Sequence, residues 1–185
     1  AGYQVNVFKR TSVKAERWVS EYKGEKKQTP KEAAEGSDFV FSCVGNDDDL
    51  RSVVYGEDGI LSGMKQGAIY VDHTTASAEV AREIDIEAKK VSVQFLDAPV
   101  SGGQAGAENG SLTVMLGGEE EIFNKAKPVI GAYARAVTLL GTVGSGQLCK
   151  MVNQICIAGL LQSLSEGIAF GKRAGLDVNK VLDVI

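Results

Sequence analysis

Apolar residues recur along the chain in two patterns, as short strand-like runs and as longer stretches with helical spacing. The run from Asp38 to Val44 is almost continuously apolar, which is typical of a strand covered on both faces. The pattern predicts strands at residues 3–8, 38–44, 68–74, 94–100, 111–117 and 136–141. It predicts helices at residues 13–22, 30–36, 47–55, 77–90 and 119–130, and Ser12 is expected to cap the first of them. Strands that alternate with helices indicate βα units, so we predict an α/β fold with a largely parallel sheet.

A different pattern begins after Gly141, where one helical stretch covers residues 146–174. It is apolar on several faces, so it needs packing partners on more than one side. Gly175 is expected as its C′ residue, and Asp177 as the cap of a further helix that runs into Ile185. We therefore predict one domain over residues 1–142, and a long helix with the start of a helical domain over residues 143–185. Because the chain begins without Met in a strand and stops in a helix, we expect an internal fragment of a longer protein.

The composition narrows the class of protein. With 20 basic and 24 acidic residues the net charge is −4, so no basic field points to nucleic acid or to an anionic membrane. The three cysteines form no C-x-x-C pair, which favours a reducing, cytoplasmic compartment. No apolar run reaches the roughly 18 residues of a membrane span, and the first residues lack the pattern of a signal peptide.

Candidate chemistry lies where the predicted strands end, because an α/β sheet binds ligands at the carboxyl ends of its strands. Lys9, Arg10 and Thr11 follow the first predicted strand. In dinucleotide-binding folds an acidic residue at such a position bonds the ribose 2′-hydroxyl, whereas an arginine accommodates a 2′-phosphate. The doubly basic end indicates a phosphorylated nucleotide, with a solvated turn as the alternative.

Two further strand ends carry small residues. Val44 and Gly45 follow the second predicted strand, and Thr75 follows the third. Such residues let a flat ligand approach the backbone, although turn and helix-cap chemistry explains them as well. His73, the only histidine, is expected to be a packing or hydrogen-bond anchor outside the site.

The stretch from Phe95 to Gly118 is unusually rich in glycine. Gly102 and Gly103 can place backbone N–H groups against a ligand with no Cβ in the way, and Ser101 adds a hydroxyl donor. Successive N–H groups form a concave site for an anion such as a carboxylate or phosphate. The alternative is a glycine-rich crossover loop.

Glycines also precede the long helix, and Gly141 and Gly146 have the spacing of a P-loop. Gln147 stands where that loop needs Lys, so binding of a nucleoside triphosphate is disfavoured. Further along, Lys150, Asn153 and Gln154 share one helix face by their spacing. An amine in an apolar setting gives up its proton readily, as an acid–base group needs, so Lys150 is a candidate for proton transfer. The alternative interpretation is a snorkelling lysine beside two interhelical amides.

These motifs together resemble the β-hydroxyacid dehydrogenases, which include 3-hydroxyisobutyrate dehydrogenase, tartronate semialdehyde (glyoxylate) reductase and, more distantly, 6-phosphogluconate dehydrogenase. The stretches DAPVSGG and GAENGSLTVMLGG match the family's substrate-loop signature, and the pattern G-x-G-Q-x-x-K-x-x-N-Q from Gly144 to Gln154 matches its catalytic helix. The resemblance covers essentially the whole chain.

The resemblance implies a Rossmann-type sheet that lacks its first strand, a long interdomain helix and the truncated start of an all-α domain. That missing strand and its G-x-G-x-x-G turn would hold the cofactor pyrophosphate, so we expect the fragment alone to bind cofactor weakly and to be inactive. The family's helical domain often mediates dimers, so a homo-oligomer is expected.

The resemblance also implies the reaction, which is a hydride transfer between NADP(H) and a small carboxylate substrate. The substrate is a β-hydroxyacid or its semialdehyde, and NAD is a possible cofactor in place of NADP. Lys150 would be the general acid/base. The implied substrate contacts are Ser101, Gly102, Gly103, Asn153 and Gln154. Val44, Gly45 and Thr75 would contact the nicotinamide half of the cofactor. Lys9, Arg10 and Thr11 would contact its 2′-phosphate. No metal is implied. A non-catalytic binding or assembly module of the same fold is the alternative, against which the presence of Lys150 counts.

Overall fold

The computed structural model describes residues 2–185, which divide into two compact units, one that ends at Lys150 and one that spans Met151–Ile185. The first unit holds all the strands found in the described residues: β1 Asn6–Val7, β2 Glu25–Lys26, β3 Phe39–Ser42, β4 Ile69–Asp72, β5 Gln94–Asp97, β6 Val100–Ser101, β7 Leu112–Leu116 and β8 Ala134–Leu139. The helices are α1 Ser12–Tyr22, α2 Pro30–Ala34, α3 Asp47–Val54, α4 Ile60–Gly63, α5 Ala78–Lys90, α6 Gly103–Glu108, α7 Glu120–Ile130, α8 Ser145–Arg173 and α9 Val178–Leu182.

The strands pair mainly in parallel, which confirms the predicted α/β fold. β1 pairs with β2, and β3, β4 and β5 form a parallel sheet in that order. β7 is parallel to β8, and β6 is antiparallel to β7. In the register of the central sheet Ser42 lies opposite Asp72, which lies opposite Asp97, so these three strands end at the same level.

Two apolar clusters cover the faces of the central sheet. Along β4, Tyr70 belongs to the cluster under α5, whereas Ile69 and Val71 belong to the cluster that β7 and α7 share. This alternation follows from the two-residue period of a strand, and it leaves all four residues of β4 buried. The prediction of cover on both faces is wrong for β3, where Phe41 is 38% exposed, because the rings that pack against it, among them His73 and Tyr133, cover it only in part.

Four of the nine helices in the described residues, α2, α3, α5 and α9, begin with a capping side chain. The Ser77 hydroxyl accepts a hydrogen bond from Val80 N at the start of α5, and the Asp177 carboxylate accepts one from Asn179 N at the start of α9. The predicted cap at Ser12 is wrong, since Ser12 is the first residue of α1 and its hydroxyl donates to Glu16.

Four short elements were not predicted, namely β2, β6, α4 and α6. Each has two to six residues, too few to show a hydrophobic period. The last helix ends at Leu182 and does not run into Ile185 as predicted.

The second unit contains the remainder of α8 and α9. Gly175 has φ of 78° after α8, as its predicted C′ role requires. Large apolar side chains of this part are exposed, among them Ile155 and Phe170 at 73% each. No helix in residues 2–185 is long and apolar enough to cross a membrane.

Candidate functional site

Side-chain hydrogen bonds join the segments that follow β3 and β4. Val44 N donates to Thr74 Oγ1 at 3.1 Å, and Thr74 Oγ1 in turn donates to Asp72 Oδ1 at 2.6 Å. Ser42 Oγ donates to the same carboxylate oxygen at 2.6 Å. Two of the predicted ligand-binding strand ends are therefore held together by one buried carboxylate, which the sequence interpretation did not include.

Burial raises the pKa of Asp72 to about 6, while the hydrogen bonds from Ser42 and Thr74 act in the opposite direction. In the unfolded chain an aspartate titrates near pKa of about 3.9. Between about pH 4 and about pH 6 the folded state therefore binds more protons than the unfolded state. The contribution of Asp72 to the free energy of unfolding accordingly falls as the pH rises through this window.

We predict that Asp72→Asn removes this pH dependence, because asparagine keeps an oxygen acceptor for Ser42 and Thr74 but does not titrate. The free energy of unfolding of the native chain minus that of the variant should fall by about 2–3 kcal/mol between pH 4 and pH 7. Urea unfolding of both proteins across this range measures the difference. A difference that does not change with pH would show that Asp72 titrates normally.

Gln147, in the first turn of α8, is hydrogen-bonded to the segment after β4. The side chain is fully buried, and its Nε2 donates to Thr74 O at 2.7 Å while its Oε1 accepts from Ala76 N at 3.0 Å. Thr75, which lies between these two residues, is exposed. The sequence interpretation used Gln147 only to exclude a P-loop, although its place in the G-x-G-Q motif was a signal for this role.

Asp97, the last residue of β5, holds the start of α8. The side chain is buried, and it accepts hydrogen bonds from Gly144 N at 2.7 Å and from Gln147 N at 2.9 Å. Helix starts have unpaired N–H groups and a partial positive charge, so a carboxylate stabilises them. Burial raises the pKa of Asp97, and these backbone bonds oppose the rise.

Close approach of α8 to the sheet requires glycine. A Cβ at Gly146 would lie 2.8 Å from Asp97 Oδ2 and closer still to the Met115 carbonyl oxygen. The first turn of α8 is therefore pressed against β5 and β7, and the turn that carries Lys150 follows directly from it.

Lys150 is buried, with 8% of its surface exposed. Across residues 2–185 no carboxylate lies within ion-pair distance of its Nζ and no hydrogen bond engages that atom. Within residues 2–185 the Nζ atom is not among the buried side-chain atoms that lack a hydrogen-bond partner, so the alkyl chain is covered while the amine reaches solvent. An accessible amine without a protein partner is available for binding or for proton transfer.

The basic strand end lies beside the end of β3. Arg10 forms an ion pair with Asp49 at 2.9 Å, and Lys9 and Thr11 are exposed. A Cβ at Gly45 would lie 2.5 Å from the same Asp49 carboxylate. The structure thus brings Arg10 and Gly45 together around Asp49, although the sequence interpretation assigned them to opposite ends of the cofactor, the 2′-phosphate and the nicotinamide half.

Ser101, Gly102 and Gly103 follow the turn after β5. Ser101 pairs with Thr113 in the β6–β7 ladder, and Gly102 and Gly103 have φ of 127° and 60°, a region that favours glycine. Ser101 ends the short strand β6 and Gly103 begins the six-residue helix α6, so this part of the crossover between β5 and β7 has regular structure. Whether it binds a ligand stays a prediction.

Asn153 and Gln154 belong to the second unit, in which Asn153 Nδ2 donates to Gln154 Oε1 at 3.2 Å. Their contact with substrate stays a prediction. The proximity of Lys150 to Gly102 and Gly103 also stays a prediction, since no hydrogen bond in the described part of the chain joins them.

Comparison with known proteins identifies the family. The family model described as "NAD binding domain of 6-phosphogluconate dehydrogenase" matches residues 1–141, and the one described as "NAD-binding of NADP-dependent 3-hydroxyisobutyrate dehydrogenase" matches residues 144–185. The chain belongs to the β-hydroxyacid dehydrogenase family. The expected family membership and the expected Rossmann-type fold are therefore confirmed.

Individual relatives agree with this assignment. The chain is 63% identical to an uncharacterized oxidoreductase of Shewanella frigidimarina, over all of this chain and 63% of that protein. It is 43% identical to the probable 3-hydroxyisobutyrate dehydrogenase-like 2 of Arabidopsis thaliana, over all of this chain and 61% of the relative. It is 34% identical to the 2-hydroxy-3-oxopropionate reductase of Escherichia coli, over 83% of this chain and 53% of the relative.

Solved structures of the family have the same fold. The 3-hydroxyisobutyrate dehydrogenase of Mycobacterium tuberculosis superposes with a TM-score of 0.89 at 27% identity, over all of this chain and 62% of that one. The 3-hydroxyisobutyrate dehydrogenase of Salmonella typhimurium gives 0.88 at 29% identity, over all of this chain and 64% of that one. This member of the family thus spans less than two thirds of the length of these relatives.

The residues of this chain fit part of a nicotinamide dinucleotide. The Gly45 backbone is exposed, with the Asp49 carboxylate in the place that a Cβ would take, and Thr75 is held exposed by Gln147. The sequence contains no G-x-G-x-x-G segment, so residues 1–185 supply no such loop for the pyrophosphate.

Proposed function

We propose that this chain is the cofactor-binding and proton-transferring part of a reductase that interconverts a small β-hydroxyacid and its semialdehyde. The observation that carries the proposal is Lys150, whose alkyl chain is covered while its accessible Nζ has no protein partner within residues 2–185, and which follows a helix start held by Asp97 and Gln147. The names of the Arabidopsis and Escherichia coli relatives support this class of substrate.

The proposed chemistry separates the hydride from the proton. The nicotinamide cofactor, when bound, supplies the hydride acceptor or donor. In oxidation Lys150 Nζ accepts the proton of the substrate hydroxyl while the hydride leaves the carbon that bears it, and in reduction the lysine returns the proton to the carbonyl oxygen. Asn153 and Gln154 would orient the substrate oxygens.

The substrate carboxylate would lie against Ser101, Gly102 and Gly103. The left-handed φ angles of both glycines support this, because such backbone turns successive N–H groups toward one concave site. A charge-assisted hydrogen bond from each donor would distinguish an acid from a neutral aldehyde.

For the cofactor we propose NADP in preference to NAD. Val44, Gly45 and Thr75 would contact the nicotinamide half, and the 2′-phosphate would lie beside Lys9, Arg10 and Thr11. The Arg10 side chain is 68% exposed, so its pair with Asp49 is weak and the guanidinium can turn to a phosphate at little cost. A homo-oligomer and a cytoplasmic location stay predictions.

Activity is to be measured in a protein of the relatives' length that contains this chain, which we call the relative-length protein. Initial rates with NADPH and NADH are compared for succinic semialdehyde, tartronate semialdehyde and glyoxylate, and for butanal as the matched aldehyde without a carboxylate. At least one acid should be reduced, with kcat/KM at least about 100-fold above that of butanal. A kcat/KM for butanal equal to that for the acids would contradict the proposed carboxylate site. No turnover of any acid would favour a non-catalytic binding module.

The cofactor preference depends on Arg10. Arg10→Ala should lower kcat/KM for NADPH by about 10- to 100-fold, because it removes a charge-assisted hydrogen bond to the 2′-phosphate, and should change kcat/KM for NADH little. Arg17→Ala, at an exposed arginine of α1, is the control and should change neither value. A native preference for NADH, or equal losses with both cofactors, would overturn the assignment of Arg10.

A further inference from the structure

Three side chains with aromatic rings pack together beside the turn that leads to Ser101. They are Phe41 on β3, His73 after β4 and Tyr133 before β8, and we call them the His73 cluster. Phe41 stacks on His73 with ring centroids 5.7 Å apart, and Tyr133 meets His73 edge-on at 5.6 Å. The function proposed above assigns no role to this cluster.

Both ring nitrogens of His73 are hydrogen-bonded. Nδ1 lies 2.6 Å from Ala98 O, and Nε2 lies 2.7 Å from the Tyr133 hydroxyl. A carbonyl oxygen only accepts, so Nδ1 carries the proton, and in the neutral ring Nε2 accepts from the tyrosine O–H. Burial lowers the pKa of His73 and so favours this neutral form. The predicted role of His73 as a hydrogen-bond anchor is confirmed.

The two bonds reach opposite sides of the Ser101–Gly103 segment. On one side, Ala98 is held twice, since its N–H donates to Asp72 O at 2.7 Å and its carbonyl accepts from His73. On the other side, the Tyr133 carbonyl accepts from Leu112 N at 3.4 Å, at the start of β7. A Cβ at Gly102 would lie 3.2 Å from the Leu112 side chain, so Leu112 borders the glycine segment.

We propose that the hydrogen bond between His73 and Tyr133 positions Ser101, Gly102 and Gly103 for binding of the substrate carboxylate. It ties the segment before the glycines, at Ala98, to the residue that borders them, at Leu112. His73 and Tyr133 are positioning residues, because they act through the backbone and contact no reacting atom. This assignment rests on the proposed function, which places the carboxylate at these glycines.

A purely structural role makes a different prediction. If the cluster only fills space, loss of the tyrosine hydroxyl changes stability and leaves kinetics unchanged. If it positions the glycine segment, the same loss weakens binding of the acid while proton transfer at Lys150 and cofactor binding continue. The kinetic constants therefore separate the two roles.

The first test is Tyr133→Phe in the relative-length protein. KM for the best acid of the panel should rise about 3- to 10-fold, the effect of losing one hydrogen bond, while kcat and KM for NADPH stay within about twofold. Tyr55→Phe is the matched control, because it also removes one tyrosine hydroxyl from the interior, next to α3 and outside the His73 cluster. An unchanged KM in Tyr133→Phe, or an equal rise in the control, would overturn the assignment.

The second test uses His73. Asparagine can place an amide N–H near the position of Nδ1. His73→Asn should therefore raise KM for the acid less than His73→Leu does. Equal effects of both substitutions would contradict a role for the bond to Ala98. His73→Leu removes a half-buried polar anchor. If that variant does not fold, Tyr133→Phe decides in its place.

Hydrogen exchange gives a measurement that does not depend on turnover. Amides of residue 98 and of residues 100–106 should exchange about 3- to 10-fold faster in Tyr133→Phe than in the native protein, and not in Tyr55→Phe. Native exchange rates in Tyr133→Phe would overturn the positioning role even if the enzyme is active. Faster exchange in a protein that reduces no acid would support the positioning of the segment and refute the proposed function instead.

Discussion

Replacement of Lys150 by alanine is expected to lower kcat of the relative-length protein by about 100- to 10,000-fold, the usual contribution of one positioned acid–base group. The affinity for NADPH should stay within about twofold, because the proposed cofactor contacts lie at Arg10, Gly45 and Thr75. Steady-state rates with the best acid of the panel, together with a fluorescence titration of NADPH, measure both quantities.

Two further variants separate proton transfer from charge. Lys150→Arg keeps a positive charge but cannot give up its proton near neutral pH, so it should be nearly as inactive as the alanine variant. Lys125→Ala removes an exposed lysine whose Nζ pairs with Glu121, and it should leave kcat unchanged. Native turnover in Lys150→Ala would exclude this lysine as the base and leave a snorkelling side chain as its explanation.

Substitution of Gly146 by alanine is expected to cost at least about 3 kcal/mol of the free energy of unfolding. A Cβ there would lie 2.8 Å from Asp97 Oδ2 and 2.9 Å from Asp97 O, and closer still to the Met115 carbonyl. These atoms belong to backbone or to a carboxylate held by two N–H groups, so they cannot move aside without breaking the bonds that start α8.

Gly159→Ala is the matched control on the same helix. A Cβ at Gly159 meets no atom within 4 Å, so alanine should stabilise the helix slightly, by up to about 1 kcal/mol. Urea unfolding of this chain and both variants measures the difference. A loss below about 1 kcal/mol for Gly146→Ala would show that α8 can move off the sheet, and the positioning of Lys150 by Asp97 would then have no support.

The longer elements follow from local pattern. The continuous apolar run of β4 and the period near 3.6 in α5 and α7 are set by which faces of each element are buried, and that information lies within a few neighbouring residues. The caps at Ser77 and Asp177 are equally local, since each side chain bonds a backbone N–H two or three residues ahead. The motifs around Gly102 and Lys150 likewise identified the family before any coordinates were considered.

The site depends on contacts that no local pattern reveals. Gln147 reaches Thr74 across 73 residues of chain, Asp97 reaches Gln147 across 50, and His73 reaches Tyr133 across 60. A buried polar side chain is stable only when its partner has been brought to it by folding, so its role cannot be read from its neighbours in sequence. By itself the sequence determined the α/β alternation, the family and the candidate residues. Only the tertiary structure decided that Asp97 and Gln147 hold the helix of Lys150, because hydrogen-bond partners distant in sequence become neighbours only when the sheet and α8 pack together.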